Sequence, residues 1–394
     1  MDERNFKLKN GLTVVVSNVG SELSMSLTVN VGHVNEPDLG MAGLFEQVLT
    51  REFAGVQAVY GGTITSYLTG CRCATSQLET TMEKLAQLAK FRDFRQEVVD
   101  DVANDIAEHT RDRAPLPDRQ MRLLYKHTAF GNANKVWDAD VYISAVQSYD
   151  AEDLRCFADT FLTGKNIVFA ISGVGMEDKI GYIKELAEKF FGDIPAGRKR
   201  KVYNEFYTGG FAKMHAPDEY RQVMLGWDVS NLHNAAEANV MMSMLKGRLE
   251  RAFIGMNVDL EVKIAGYYGL RTLRVSVASR QEDDVDKFTD IICYNVHRLR
   301  TELASDRRME TSRNCAMAEK LFMFSQPQDR SVEISWQVLG RGEMYDINER
   351  INATWRVTAR DVRDISEDIF SKPLTYVVYA RQKCYSYAEV QSKL

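Results

Sequence analysis

The residues best suited to chemistry are dispersed along this chain. Six histidines (His33, His109, His127, His215, His233 and His297) include no two at i, i+3 or i+4. Two imidazoles one helical turn apart are a common way for a helix to present ligands to Zn²⁺, and that spacing does not occur here. The six cysteines (Cys71, Cys73, Cys156, Cys293, Cys315 and Cys384) are scattered too, and none stands at a cysteine–histidine zinc spacing. Cys71 and Cys73 are two apart in a strand-like run, so both point to one face and are poorly placed to bond each other. Free thiols in a reducing compartment are therefore expected. Asp105 and His109 stand at i, i+4, but one aspartate and one histidine make a weak metal site, and pairing on a helix surface is the simpler role. No bound metal or cofactor is expected.

The elements that would position such residues fall into two similar halves. The chain has 394 residues, 27% charged and 45% hydrophobic, which is ordinary globular composition at a length that suggests two or more domains. In each half an alternating strand leads into a helix with a capping-box pattern. The first strand is Thr63 to Thr75, followed by Ser76-Gln77-Leu78-Glu79; the second is Gly269 to Ala278, followed by Ser279-Arg280-Gln281-Glu282. Leu78, Met82, Leu85 and Leu88 then repeat at helical spacing, as do Val285, Phe288, Ile291 and Ile292. A second correspondence closes each half: Asp150 to Arg155 is echoed by Thr358 to Arg363, each with a cap residue and an acid three positions on. Each leads to a final strand, Asn166 to Ile171 and Leu374 to Ala380. Two correspondences in the same order at nearly the same offset indicate duplication.

Between the halves, Ile180, Ile183, Leu186, Ala187, Phe190 and Phe191 form a helix stripe that stops at Gly192 and Pro195, before the basic stretch Arg198 to Lys201. The expected domains are 1–195 and 205–394, joined by a linker at 196–204. The fold class is α+β: two duplicated domains, each a mainly antiparallel sheet with helices packed on one face, together enclosing a cavity. Near the start, Phe6 to Val16 reads as a first strand, and no signal peptide or arginine-rich presequence precedes it. The net charge of −5 argues against general nucleic-acid binding. No apolar run approaches the roughly 20 residues that a membrane-spanning helix needs.

Gly40-Met41-Ala42-Gly43-Leu44-Phe45-Glu46-Gln47-Val48-Leu49 resembles the zinc-binding helix of the pitrilysin-type (inverzincin) peptidases, whose motif is His-x-x-Glu-His preceded by Gly-x-Ala. The resemblance implies two imidazoles on Zn²⁺, a glutamate that deprotonates the bound water, and a distant carboxylate completing the site. Here Gly43 and Gln47 stand at the histidine positions, Glu46 at the general base, and Asp105 at the distal glutamate on a helix from Gln96 to His109. The interval from Gln47 to Asp105 is about one helix shorter than the family's, and Arg51 to Gly62 leaves little room for it. Glycine has no ligand atom and an amide is a poor substitute for imidazole, so no catalytic zinc site is expected. A lone glutamate without an activated water has no route to amide hydrolysis. In active relatives an arginine and a tyrosine hold the substrate backbone; Ile254 and Glu261 fall at those positions here.

The resemblance runs from Leu8-Lys9-Asn10-Gly11-Leu12 to the last strand, including Lys126 to Asn134, Val338 to Gly342 and Val357 to Val362. It implies a non-catalytic member. One such role is the substrate-recognising subunit of a mitochondrial processing peptidase heterodimer, which carries a glycine-rich loop; Gly255 and Gly266 are isolated here. The other is a structural core subunit of the mitochondrial cytochrome b–c complex (complex III), on the matrix side of the inner membrane. The latter is the expectation. It implies a second core-like subunit, cytochrome b and other complex III subunits as partners, a dimeric assembly, and membrane association through partners only.

Overall fold

Asn10-Gly11 breaks the first apolar run. The segment from Phe6 to Val16, expected as one strand, is a hairpin in the computed structural model. Gly11 takes φ +90°, and β1 (Asn5–Lys7) returns antiparallel along β2 (Thr13–Ser17) with Phe6 opposite Val14. A residue free to adopt positive φ can reverse a strand whose hydrophobic pattern runs on. The structure describes residues 4–394 except 63, 70–74, 132–137, 201–205, 217–218, 233–235, 268–269, 282–283, 343 and 345. Cys71, Cys73 and His233 lie outside the described residues, as does most of the basic linker's end.

The chain divides into two compact units, neither of them continuous in sequence. One comprises Met1–Arg111, Trp137–Tyr203 and Lys320–Tyr345; the other comprises Asp112–Val136, Asn204–Glu319 and Asp346–Leu394. After β2 the first unit has β3 (Ser24–Val29), α1 (Met41–Glu52), β4 (Val56–Tyr60), β5 (Thr65–Thr69), α2 (Leu78–Lys90) and α3 (Gln96–Arg113). Helix α4 (Pro117–Phe130) belongs to the second unit. The first then resumes with α5 (Ala139–Val146), α6 (Ala151–Phe161), β6 (Ile167–Ser172) and α7 (Ile180–Phe191).

The second unit follows with β7 (Gly210–Met214), β8 (Arg221–Asp228), α8 (Ala236–Ala252), β9 (Asp259–Tyr267), β10 (Leu270–Ser279), α9 (Val285–Thr301) and α10 (Asp306–Ser325). Helix α11 (Pro327–Arg341) returns to the first unit. Then α12 (Ile347–Arg356), α13 (Ala359–Phe370), β11 (Leu374–Tyr379) and α14 (Tyr387–Lys393) complete the second.

The duplication is written in the strand order. The first sheet runs β1-β2-β6-β3-β5-β4 and the second β7-β11-β8-β10-β9. Without the edge strand β1 the two orders are the same. The parallel pair, β2 with β6 and β7 with β11, sits at the same place in each, and the other neighbours are antiparallel. Helices α6 and α13 open on the capping boxes read from sequence, Asp150 with Asp153 and Thr358 with Asp361. At the other two sites the helices start further on, and Glu282 of the second box lies outside the described residues. Helix α2 starts at Leu78 with no side-chain cap, after a 3₁₀ turn from Thr75. Helix α9 starts at Val285 and is capped by Asp284, while the Ser279 hydroxyl donates to Asn257 O at the end of β10. A serine with an acid three residues on caps a helix only where the backbone starts one there.

Strand β6 shows why both faces of its sheet are apolar. Ile167, Phe169 and Ile171 enter the core with α2 and α7, whereas Val168 and Ala170 pack with Ile334 and Val338 of α11 on the opposite face. Alternation is therefore lost, as expected of a strand covered on both sides. Beneath α11 lies a buried polar seam. Ser331 Oγ is 2.8 Å from Ser24 Oγ, Thr28 Oγ1 is 2.6 Å from Ser335 Oγ, and Trp336 Nε1 donates to Ser66 Oγ at 3.0 Å. Thr28 Oγ1 also lies 2.7 Å from Ser66 Oγ, so Thr28→Val should remove a partner from two of these hydroxyls and cost about 1–3 kcal/mol, measured by chemical denaturation. On the second sheet α4 does the corresponding job, with Met121, Tyr125 and Ala129 packed against Met224 and Val377. Segments 112–136 and 320–345 thus cross the domain limits drawn from the sequence, because each brings a helix to the second face of a sheet.

Candidate functional site

Helix α1 begins where a buried carboxylate meets its first amides. Gly40 N–H donates to Glu36 Oε1 and Ala42 N–H to Glu36 Oε2, both at 2.9 Å. An acid here satisfies orphan donors and faces the positive end of the helix dipole. Gly40 is left-handed at φ +79°, and a Cβ on it would lie 2.6 Å from Val146 Cγ2 and 2.7 Å from the Tyr142 ring. Only glycine fits both the backbone and the neighbour, which accounts for the Gly-x-Ala entry to this helix.

Met41, Leu44, Phe45, Val48 and Leu49 turn the apolar stripe of α1 into the core of the first unit. Gly43 is also buried, Glu46 is half-buried and Gln47 is exposed. A Cβ on Gly43 would meet the Tyr60 hydroxyl at 3.4 Å and the Tyr142 hydroxyl at 3.6 Å. A methyl fits there; an imidazole would have to displace the tyrosines. The space beside position 43 is therefore filled by two phenols, one from β4 and one from α5. Although Tyr60 is 37% exposed, its hydroxyl lies on this inner side.

Burial pushes the Glu46 carboxyl up to about 7, far above the ordinary carboxylate range. The same loss of solvent, with the Glu36 and Glu46 charges nearby, raises the Tyr60 hydroxyl well above the usual phenol value. Tyr67 is raised for the same first reason, again with Glu46 contributing. Near neutral pH Glu46 is thus shared between acid and carboxylate, among phenols that stay protonated. Such a group can hold or pass a proton. Among the described residues no group of three or more histidine, cysteine or carboxylate side chains is placed to hold a metal ion.

Asp105 sits on α3 and ion-pairs with Arg51, one turn beyond Gln47 on α1. Both side chains are about half exposed, so the pair is worth at most about 1 kcal/mol. Asp105→Ala should accordingly lower stability by less than about 1 kcal/mol, checked by urea titration. The structure brings Asp105 to α1, where its partner is a cation. Ile254 and Glu261, in the second unit, are both exposed: Ile254 follows α8 and Glu261 pairs with Lys263 on the edge strand β9. Sequence reasoning missed Glu36, Tyr60 and Tyr142. Only Glu36 left a signal, an acid four residues ahead of a glycine that opens a helix.

Residues 148–314 match the family model described as Peptidase M16 inactive domain. This stretch includes Ile254 and Glu261 but starts beyond Gly43, Glu46, Gln47 and Asp105. No curated protein sequence matches the chain. Among solved structures, a chain of complex III2 from Candida albicans, bound to Inz-5, is similar over 99% of each chain, with TM-score 0.82 and 14% identity. A protease from Helicobacter pylori is similar over 95% of this chain and 98% of its own, with TM-score 0.78 and 14% identity. An M16-like peptidase from Alicyclobacillus acidocaldarius gives 96% and 97%, TM-score 0.75 and 16% identity. At these identities the likeness establishes a shared fold, and that fold extends along nearly the whole chain.

Proposed function

We propose that this protein is a non-catalytic core subunit of the mitochondrial cytochrome b–c complex, held on the matrix side of the inner membrane by its partners. The observation that carries the reading is the state of α1. The fold around it is shared with those solved structures nearly end to end, yet glycine and an exposed glutamine stand at the positions that resemble the two zinc-binding imidazoles, and phenols fill the space at Gly43. Asp105, the third position, is engaged by Arg51. Glu46 keeps the place of the general base without a metal-bound water to act on.

Support for the assembly comes from the likeness to a chain of complex III2, which spans both chains almost end to end. Among the described residues no helix is long and apolar enough to cross a membrane, which suits attachment through a second core-like subunit and cytochrome b. The experiment is purification of the tagged protein from native membranes in mild detergent. Cytochrome b and a second M16-type chain should co-purify in constant proportion. Recovery with an M16 chain alone, in a complex that cleaves presequence peptides, would instead indicate the recognition subunit of a processing peptidase.

A further inference from the structure

The second unit contains an open cavity of about 450 Å³ between the end of α8, the middle of α9 and the start of α10. Four arginines line it: Arg248, Arg251, Arg298 and Arg308. The lone lining acid is Asp290, and its carboxylate is already taken by Lys393 at 2.9 Å and the Tyr385 hydroxyl at 3.1 Å. Arg298 is likewise committed, to both oxygens of Glu302. Among the described residues no ion pair holds Arg251 or Arg308, and both are exposed.

Arg248 is the decisive group. It is only 6% exposed, yet its Nε and Nη1 have no hydrogen-bond partner. A buried guanidinium with two of its three nitrogens unpartnered is costly, and proteins ordinarily give such a group an anion. Burial, with Arg298 and Arg308 nearby, lowers its pKa to about 10, so it stays charged at neutral pH. A cation that cannot lose its proton, buried beside other cations and facing an open cavity, is half of a binding site.

We infer that this cavity binds a phosphate monoester, with Arg248 as its buried anchor and Arg251 and Arg308 closing on the same group from the rim. The charge balance selects the chemistry. Three uncommitted guanidiniums suit a group carrying close to two negative charges, as a phosphate monoester does; a carboxylate would leave them under-compensated. The planar fork of arginine also matches phosphate oxygens two at a time. Ala252, Ile291 and the exposed Tyr294 ring give the organic remainder of the ligand an apolar surface at the mouth.

The test is calorimetric titration of the full-length chain at fixed ionic strength. The soluble probes are inorganic phosphate and glycerol 3-phosphate, with acetate as the control. The membrane probe is phosphatidylcholine vesicles with and without phosphatidic acid. Saturable binding of the phosphate probes is expected, with acetate weaker by about tenfold or more. Arg251→Ala with Arg308→Ala, both at exposed positions, should weaken binding at least about tenfold, and Arg248→Met should abolish it. A response only to phosphatidic acid vesicles identifies a lipid headgroup as the source, and a response to the soluble esters identifies a free metabolite. Absence of saturable binding to every phosphate probe would overturn the assignment. So would acetate binding as tightly, or unchanged affinity in the double variant, which is readable even where Arg248→Met fails to fold.

Discussion

Glu46→Gln should stabilise the protein at pH 8 by roughly 2–3 kcal/mol and leave its stability unchanged at pH 4. The folded carboxyl titrates near 7 because burial penalises its charge, whereas the unfolded one titrates in the ordinary range. Below both values each state holds the proton and Glu46 contributes nothing. Between them the unfolded chain releases its proton first, so the folded state binds more protons and stability falls as pH rises. Above about 7 the loss is complete and constant. Glutamine is nearly isosteric and never charges, so the variant should lack this decline, and denaturant titrations across pH 4 to 8 would read the difference directly. A variant as stable as the parent at pH 8 would mean that the carboxylate is solvated in the folded protein. A catalytic base retained at a cost in stability would show the same stabilisation but also lose an activity.

Gly226→Val should be among the most damaging single changes in the second unit, at about 3 kcal/mol or more. Gly226 lies in β8, where a Cβ would come within 1.9 Å of the Tyr125 hydroxyl on α4. Tyr125 is fully buried, so its ring cannot swing aside, and the strand cannot shift without breaking its pairing with β10 and β11. The collision is specific to the docked helix. Tyr125→Ala alone should also destabilise, but the double variant should be less damaged than the sum of the two, a coupling that a double-mutant cycle measures. Strict additivity would show that α4 does not rest on this strand.

The repeated plan was legible in the sequence because it rests on local signals. Asp150 with Asp153 and Thr358 with Asp361 are caps whose partners lie three residues away, and the stripes of α2 and α9 follow from helical period alone. Misreadings came where a local signal had a non-local competitor. The run from Phe6 to Val16 has strand composition throughout, and only the positive φ at Gly11 reveals the hairpin. The amphipathic faces of α4 and α11 announce that each packs on something, but periodicity carries no address for which sheet. At the candidate site, a glycine and a glutamine at Gly43 and Gln47, neither of them a good zinc ligand, could be read directly. The phenols that fill the gap could not, because Tyr60 and Tyr142 reach Gly43 from elements that fold back on α1. Arg248 was illegible for another reason. Arginines are usually exposed, and nothing in the stretch around it distinguishes the one that is buried.

The central claim is that a peptidase architecture persists here around a helix that no longer holds zinc. The measurement that tests it most directly is metal content of the purified full-length protein after zinc loading and dialysis, with cleavage of a presequence peptide followed on the same sample. Zinc should remain far below about one equivalent per chain, with no cleavage above the rate without protein. About one zinc per chain, retained through dialysis and accompanied by cleavage that Glu46→Gln abolishes, would contradict the account.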